Sequence, residues 1–461
     1  MSVQLKVMLL SVIFIMGYAN LSYELIVLRQ LINFIGSNTL ITSIIMASIM
    51  FFLSVGYYWG SVVRFKGRKI RRSILKSIWL LAVWYMVSSS YIVMTLFFYG
   101  LNHITHSPLI ATFIFSGLFL IIPSVVSGYI TTAISRILHH NHSDYTGRFM
   151  AVDTLGSVLG SLFTTLIFMS YLGVSHTILI LVLSVALCVC LLVRKRSLIR
   201  ALVGLFFIGL CGYGLNKFHD VVFDGVLIKD DARSRIEIFS DDDNRSRLLK
   251  MNGQNASKIS DNSNLMFPYI RHIENTIIKK LPSDRIHDIL ILGAGGFTIG
   301  LNDHTNLYTY LDVEPQLKHI SEKYFLKHKL KDNKRFIAQD AYLYMLTDKR
   351  KYDVIVLDVY SSHRDIPVNF VSYDFFKMIK DHLKPGGIMT ANIITSPDFS
   401  NVFSKRIDNT LRVVFPQYLT RQVVRPFSEE ELTNIVYTYY HYPEDTTIYT
   451  IDKSSAVYGQ F

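Results

Sequence analysis

The order of apolar and polar positions divides the chain into two halves. Residues 1–215 contain long apolar runs, whereas residues 216–461 alternate short apolar segments with polar ones, as globular domains do. Each run of the first half is about long enough to cross a bilayer. The runs lie near 5–27, 39–63, 77–100, 109–135, 148–171, 174–193 and 198–215. This pattern predicts an N-terminal polytopic α-helical membrane domain of six to seven helices over residues 1–215.

The second half is predicted to begin with a linker, residues 216–234, and a small β subdomain, residues 235–282. The segments RIEIF and RLLKM, followed by an Asn-Gly turn signal, are typical of a β-hairpin. An amphipathic helix is predicted over 265–281, where Pro282 ends it, and completes the subdomain.

Residues 283–461 alternate strand-like and helix-like segments, which predicts a mostly parallel sheet with helices on both faces. The order fits an α/β domain of the class I methyltransferase-type Rossmann fold. Strands are predicted at 289–292, 308–312, 334–338, 353–358, 386–393, 418–424 and 433–441. Helices are predicted at 299–304, 315–328, 341–347, 370–383 and 399–412.

The positive charge of the chain follows the loops of the predicted membrane domain. The formal net charge is +12, and dense basic blocks lie at Arg64–Arg72 and Arg194–Arg196. The loops at 102–108 and 171–176 carry no Lys or Arg. This alternation is typical of the positive-inside pattern, so the basic loops are expected in the cytoplasm. It indicates the lipid bilayer as a partner and argues against nucleic acid.

The segment DILILGAGGFTIG is a buried-strand run that opens into a glycine-rich turn at Gly293, Gly295 and Gly296. About twenty residues later, a second apolar run ends on Asp312. In nucleotide-binding βαβ units such glycines let the backbone approach the ligand, and the acid accepts hydrogen bonds from the ribose. A glycine-rich connection in an ordinary α/β core is the alternative interpretation.

Two further acids end predicted strands. Asp340 follows the third strand and Asp358 the fourth, as Asp312 follows the second. Ligands of open α/β sheets bind at the carboxyl ends of the strands, so the three acids are expected to converge on one crevice. Each of them could instead cap the N-terminus of a helix.

The motifs YDVIVLD, HRDIPVNFVSYDFF and LKPGGIMTANI resemble the spermidine synthase family of polyamine aminopropyltransferases, and more narrowly its membrane-fused bacterial members. GYANLSYELIVLRQL and GRFMAVDTLGSVLGSL are similar to the membrane halves of those fusions. RLLKMNGQNAS and FPYIRHI resemble the small β domain and the substrate gate. The resemblance covers nearly the whole chain.

The resemblance implies roles for individual residues. Asp358 is similar to the catalytic aspartate that orients and deprotonates the attacking amine, and Tyr269 is implied as a second catalytic residue. Asp312 is implied to bind the ribose and Asp340 to face the adenine. The other implied cofactor-binding residues are Gly293, Gly295, Gly296 and Gln254. The implied co-substrate is decarboxylated S-adenosylmethionine or S-adenosylmethionine, the acceptor is a small-molecule amine, and no metal is expected.

Three positions depart from the family pattern. Soluble spermidine synthases have an acid where this chain has Gly296 and another where it has Ser361, and Arg364 adds a positive charge nearby. In the family these acids hold the ammonium groups of donor and acceptor. The identity of the acceptor is therefore open, and the donor could retain its carboxylate.

The leading hypothesis is a membrane-bound transferase that moves an aminopropyl-type group to an amine. One alternative is an S-adenosylmethionine-dependent methyltransferase on the same fold. Another is a non-catalytic transporter or sensor that binds a nucleoside or polyamine, for which Glu24 and Asp153 in the apolar runs are the candidate charges. The oligomeric state is open, with a homodimer as one option.

The side of the membrane on which the C-terminal domain lies depends on the last apolar run. With the N-terminus inside, a seventh span over 198–215 would place the domain outside, whereas an interfacial or re-entrant segment would not. Adenosyl donors are supplied in the cytosol. The expectation is therefore a multi-pass protein of the bacterial inner (cell) membrane with a cytoplasmic soluble domain.

Overall fold

A computed structural model describes residues 3–36, 39–63, 68–105, 107–139, 145–193, 197–222, 225–241, 245–260, 266–360, 366–424 and 432–443. The chain separates into two compact units. One covers Met1–Asn262, and the other covers Ser263–Tyr360 and Ile366–Phe461.

Helices and one small sheet form the N-terminal unit. The helices are α1 (Val3–Ile35), α2 (Thr39–Val62), α3 (Arg68–Ser88), α4 (Tyr91–Asn102), α5 (Pro108–Phe115), α6 (Ile121–His139), α7 (Tyr145–Leu162), α8 (Val174–Leu192) and α9 (Leu198–Val222). A π-helical turn, Ser116–Leu120, joins α5 to α6, and another, Phe163–Leu172, extends α7. Among the described residues, six helical segments are long and apolar enough to cross a membrane. The number is seven if α3 and α4, which meet at 62°, form one span.

Small residues let α1 and α7 approach each other closely. A Cβ atom on Gly156 would lie 2.2 Å from the backbone oxygen of Phe14, and one on Gly160 would lie 2.4 Å from that of Tyr18. Close contact through small residues is how helices associate in apolar surroundings. The two segments that resemble the membrane halves of fused synthases therefore pack against each other.

The small sheet contains four antiparallel strands in chain order: β1 (Gly225–Asp230), β2 (Arg235–Ser240), β3 (Ser246–Met251) and β4 (Gln254–Ser260). The prediction of a linker over 216–234 is wrong in the described residues. There α9 continues to Val222, and β1 pairs with β2. Tertiary pairing supplies the partner that makes GVLIKD a strand. This sheet belongs to the same compact unit as helices α1 to α9. The helix predicted over 265–281 lies in the other unit.

The C-terminal unit is a seven-stranded sheet flanked by helices. Its strands are β5 (Asp288–Leu292), β6 (Leu307–Asp312), β7 (Lys334–Ala338), β8 (Tyr352–Leu357), β9 (Leu383–Thr395), β10 (Leu419–Val424) and β11 (Thr433–Tyr440). Its helices are α10 (Pro268–Thr276), α11 (Leu317–Ile320), α12 (Ala341–Thr347), α13 (Tyr373–Asp381) and α14 (Val402–Val414).

The strand order, in the described residues, is β10-β11-β9-β8-β5-β6-β7. Strands β5 to β9 pair in parallel, and β11 runs antiparallel between β9 and β10. This confirms the predicted class I methyltransferase-type Rossmann arrangement and all seven predicted strands. The apolar, nearly fully buried strands β5 and β8 lie at the centre of the sheet, as expected for a sheet covered on both faces.

The helix predicted over 299–304 is wrong, because these residues form turns. Local polar groups compete for the backbone there. The Asp303 carboxylate accepts hydrogen bonds from the N–H groups of Thr305 and Asn306, and Tyr310 donates to the carbonyl oxygen of Ile299. Such bonds offer the backbone an alternative to the helix.

Asp353 ties three strands together at the start of β8. Its carboxylate is 4% exposed and accepts hydrogen bonds from Lys384 of β9 (2.7 Å) and from the N–H of Asp288 of β5 (2.8 Å). It also pairs with Arg285 at 2.9 Å. Burial alone would raise the pKa of Asp353, but the bonds from Lys384 and Asp288 outweigh it and lower the pKa. The folded sheet therefore favours the ionised carboxylate.

Asp353→Asn is expected to destabilise the C-terminal unit by about 1.5–3 kcal/mol at pH 7, because a charge-assisted hydrogen bond from Lys384 is weakened. Since the folded-state pKa is lowered, the wild-type stabilisation is present above pH ~4 and is lost as the pH falls further. Thermal unfolding of the full chain in detergent between pH 3 and 7 measures both effects. Asp374→Asn on the exposed start of α13 is the control. Equal unfolding temperatures of the Asp353 variant and the wild type at pH 7 would contradict the proposed stabilisation by the Asp353 carboxylate.

Candidate active site

The carboxyl ends of four adjacent strands form one edge of the C-terminal sheet. Beyond the strand ends, the N–H of Gly293 donates to the carbonyl of Leu311 (3.0 Å), and the N–H of Asp358 donates to that of Leu292 (2.8 Å). The pairing continues past β6, because the carbonyl of Asp312 accepts from Gln339 (2.9 Å). The glycine turn and the acids after β6, β7 and β8 are therefore neighbours along this edge, as the sequence predicted.

The glycine turn lies directly against the end of β8. Gly293 has a φ of +93°, and a Cβ atom there would lie 2.1 Å from the backbone oxygen of Asp358. Below the turn, the fully buried ring of Phe297 packs edge-on against Tyr310 and Phe336. Only glycine fits this close approach, which leaves the turn without side-chain bulk.

Asp358 is held by two side chains from other elements. Its Oδ2 accepts a hydrogen bond from the Tyr269 hydroxyl of α10 at 2.9 Å, and its Oδ1 accepts one from the Asn392 amide of β9 at 2.8 Å. Each carboxylate oxygen therefore has one fixed donor and one further lone pair that could accept a hydrogen bond. The geometry orients the carboxylate and brings together the two residues, Asp358 and Tyr269, that the resemblance implied as catalytic.

Further residues, which no sequence motif indicated, position Asn392. The Asn392 side-chain oxygen accepts from the Asn434 amide of β11 at 2.9 Å, which directs its NH₂ group towards Asp358. Tyr360 donates its hydroxyl to the carbonyl of Asn392 and accepts from the N–H of Ile394, both at 2.9 Å. The signal that could have revealed Asn392 was an amide side chain in the mostly apolar strand segment IMTANII.

The surroundings shift the titration of this pair. Burial raises the pKa of Asp358, and the hydrogen bonds from Asn392 and Tyr269 partly oppose that shift. Burial also raises the pKa of Tyr269 well above its ordinary value, and the negative charge of Asp358 adds to this shift. The phenol therefore stays a donor, and the carboxylate is a stronger base than an exposed one.

Asp312 ends β6 beside a second acid. Its Oδ1 accepts from the N–H of Glu314 at 3.0 Å. Burial raises the pKa of Asp312 to about 6. Hydrogen bonds from the backbone of Glu314 and Ala294 lower it, and the charge of Glu314 raises it. The donors that act on this carboxylate are backbone N–H groups, those of Glu314, Ala294 and Val313.

Asp340 follows β7 and caps a helix. Its side chain accepts from the N–H of Leu343 at 3.0 Å and so caps the N-terminus of α12. The alternative interpretation of these acids as caps therefore applies to this one. Its position at the carboxyl edge of the sheet is also the one predicted for a nucleobase-facing acid.

The remaining predicted site residues lie in different parts of the chain. Gln254 begins β4 in the N-terminal unit, so its cofactor role stays a prediction. Gly295 and Gly296 lie in the turn after β5. Ser361 and Arg364 are outside the described residues. Within the part of the chain that the structure describes, no three His, Cys, Asp or Glu side chains form a metal-binding group.

Gly293→Ala and Gly386→Ala provide a matched pair of variants. Both glycines have a positive φ, but a Cβ on Gly386 would meet no atom within 4 Å. Gly386→Ala is expected to destabilise the full chain by about 1–2 kcal/mol through backbone strain alone. Gly293→Ala should cost more, since the turn must also move away from Asp358. Equal shifts in thermal unfolding of the two variants would contradict the close approach.

Comparison with known proteins supports the resemblance seen in the motifs. No family model matches the chain. A probable polyamine aminopropyl transferase of Bifidobacterium longum (strain NCC 2705) is 27% identical over 141 residues, and the match covers 29% of this chain. The chain matches only 30% of the length of that curated relative.

Solved spermidine synthases are also similar. The probable spermidine synthase from Corynebacterium glutamicum ATCC 13032 is 21% identical, with a TM-score of 0.39, over 49% of this chain and 82% of its own. The spermidine synthase from Thermotoga maritima is 15% identical, with a TM-score of 0.35, over 47% of this chain and 71% of its own. By its motifs and its curated relative, the chain is similar to the spermidine synthase-like aminopropyltransferases.

Proposed function

We propose that the C-terminal unit transfers an aminopropyl-type group from decarboxylated S-adenosylmethionine, or from S-adenosylmethionine, to an amine. The observation that carries the proposal is the Asp358 carboxylate, which Tyr269 and Asn392 hold beside the glycine turn. The N-terminal helices would hold this enzyme in a bacterial membrane. The curated relative, a probable polyamine aminopropyl transferase, supports the same reaction class.

The donor's nucleoside would lie along the carboxyl edge of the sheet. The turn after β5 leaves room for the sulfonium end, Asp312 accepts from the ribose hydroxyls, and Asp340 faces the adenine. A ligand in this orientation extends across four adjacent strands, in the order β8, β5, β6 and β7. The strand register supports this placement of the nucleoside, because the carboxyl ends of all four strands align along one edge of the sheet.

In the reaction, the amine nitrogen attacks the methylene carbon next to the sulfonium sulfur. The carbon–sulfur bond breaks, its electron pair goes to sulfur, and neutral methylthioadenosine leaves. Asp358 accepts the proton of the amine, helped by the raised pKa of its carboxyl group. Apart from this proton transfer, the site would act by aligning the amine with the donor carbon. In well-oriented reactions such alignment lowers the activation barrier by up to roughly 7–11 kcal/mol.

A methyltransferase on the same fold is the second candidate. Gly296 favours it, because the glycine turn lacks the acid with which soluble spermidine synthases hold the ammonium group of the donor. The two reactions leave different products. Methylthioadenosine indicates aminopropyl-type transfer, and S-adenosylhomocysteine indicates methyl transfer.

Asp358→Asn is expected to lower turnover by about 10²-fold or more, because the amide cannot accept the amine's proton. Methylthioadenosine affinity should stay near that of wild type, since the nucleoside contacts other residues. Product formation from a labelled donor and calorimetry of the full chain in detergent measure the two quantities. An equal loss of affinity and turnover would make Asp358 a binding residue instead. A wild type that turns over neither donor would favour the non-catalytic interpretation.

Asp312→Asn is expected to weaken methylthioadenosine binding by about tenfold or more, since a charge-assisted hydrogen bond is worth roughly 1.5–3 kcal/mol. Because the pKa of Asp312 is raised to about 6, wild-type affinity should fall as the pH drops below 6 and the carboxylate is protonated. Calorimetry between pH 5 and 8 tests this.

Asp340→Asn is the matched control for the pH dependence. It keeps a side-chain oxygen to cap α12 and should retain the fall in affinity below pH 6. Asp312→Asn should abolish that fall. If the Asp312 variant keeps the wild-type pH dependence, then another group causes it, and the ribose assignment fails.

A further inference from the structure

The small sheet of β1–β4 rests on one end of the helices of its own unit. A Cβ on Gly253, in the β3–β4 turn, would lie 2.1 Å from the backbone oxygen of Asn33 near the end of α1. One on Gly173, just before α8, would lie 2.9 Å from the backbone oxygen of Asp230 in β1. The sheet therefore meets the C-terminal end of α1 and the N-terminal end of α8.

Buried charges fasten the sheet to this end. Arg29 of α1 pairs with Asp230 of β1 at 3.4 Å, and Asp230 also pairs with Arg235 of β2 at 2.8 Å. Arg235, 2% exposed, pairs with Glu237 at 2.7 Å and lies 3.6 Å from the ring centre of Tyr91 in α4. Separating such pairs would leave buried charges without partners, so the sheet is firmly attached here.

A basic residue, Arg71, lies at the end of α8 opposite to the sheet. Arg71, in the first turns of α3, donates its Nε to the backbone oxygen of Leu192 at 2.8 Å. Leu192 is the last residue of α8. The first residue of α8, Val174, directly follows Gly173, which contacts the sheet. Helix α8 has 19 residues and is therefore about 28 Å long, close to the thickness of the hydrocarbon core. The sheet and Arg71 are therefore in contact with opposite ends of α8.

Helix α9 connects the two ends. It runs antiparallel to α8, because Gly209 packs on Leu183 and Gly212, further along α9, packs on the earlier residue Leu179. Its 25 residues are enough to cross a bilayer, and β1 begins three residues after its end at Val222. An interfacial or re-entrant helix would not lead from the basic end of α8 to the sheet at its other end.

Basic loops are retained in the cytoplasm, whereas long domains cross the membrane largely regardless of their own charge. We infer that the small sheet and the C-terminal unit after it lie on the non-cytoplasmic side of the membrane. Beyond Ser260, the described residues contain no segment long and apolar enough to cross back. The proposed placement differs from the cytoplasmic one expected from the sequence.

The consequence for the reaction rests on the proposed function. A transferase site on this side takes amines of the non-cytoplasmic compartment or of the outer membrane surface as acceptors. The adenosyl sulfonium donor, supplied in the cytosol, is charged and does not cross a bilayer unaided. A transport step must therefore supply the donor to this site.

Cysteine labelling of the full chain in spheroplasts tests the placement. The native Cys188, Cys190 and Cys211 are first replaced by Ala, and single cysteines are then introduced at exposed positions. These changes are Asn255→Cys in β4, Lys377→Cys in α13, and Lys69→Cys at the basic end of α3. A membrane-impermeant maleimide is applied before and after permeabilisation.

The first two variants are expected to react fully in intact spheroplasts, and Lys69→Cys only after permeabilisation. If Asn255→Cys and Lys377→Cys react only after permeabilisation, the inference is overturned and the cytoplasmic placement is restored. Methylthioadenosine calorimetry of the purified protein in detergent is independent of sidedness. It separates a failure of the placement from a failure of the proposed function.

Discussion

The contact between the glycine turn and the end of β8 is the constraint on which the candidate site depends. Gly293 lies against the backbone of Asp358, so neither element can shift without the other. Strand pairing then places Asp312 on the other side of the turn. An edge of the sheet with little side-chain bulk at the glycine turn and with acids beside it results directly from this packing. This is where open α/β sheets bind ligands.

Three acids of one sheet edge have different surroundings. The pKa of Asp358 is raised although two neutral donors hold its oxygens, which makes it a base with a fixed direction. Asp312 has a raised pKa, and its donors are backbone N–H groups. Asp340 uses one oxygen to cap α12. The environment, and not the residue type, distinguishes the three carboxylates.

The N-terminal unit depends on electrostatics of a different kind. Its helices pack through small residues, which sets their spacing but does not distinguish one end of the bundle from the other. The distinction comes from charge. Arg29, Asp230 and Arg235 attach the sheet at one end, and Arg71 lies at the other. The proposed orientation of the unit in a membrane rests on the end at which Arg71 lies.

The sequence by itself determined the two halves of the chain, the seven strands of the C-terminal sheet and the three acids at strand ends. These features are local, since strand periodicity and apolar runs are visible within a few residues. The tertiary structure alone decided which groups hold Asp358, because Tyr269 and Asn392 are 89 and 34 residues away from it. It also decided that 225–230 is a strand, because a short edge segment becomes one only through its partner. Long-range contacts of this kind leave no periodic signal in the sequence.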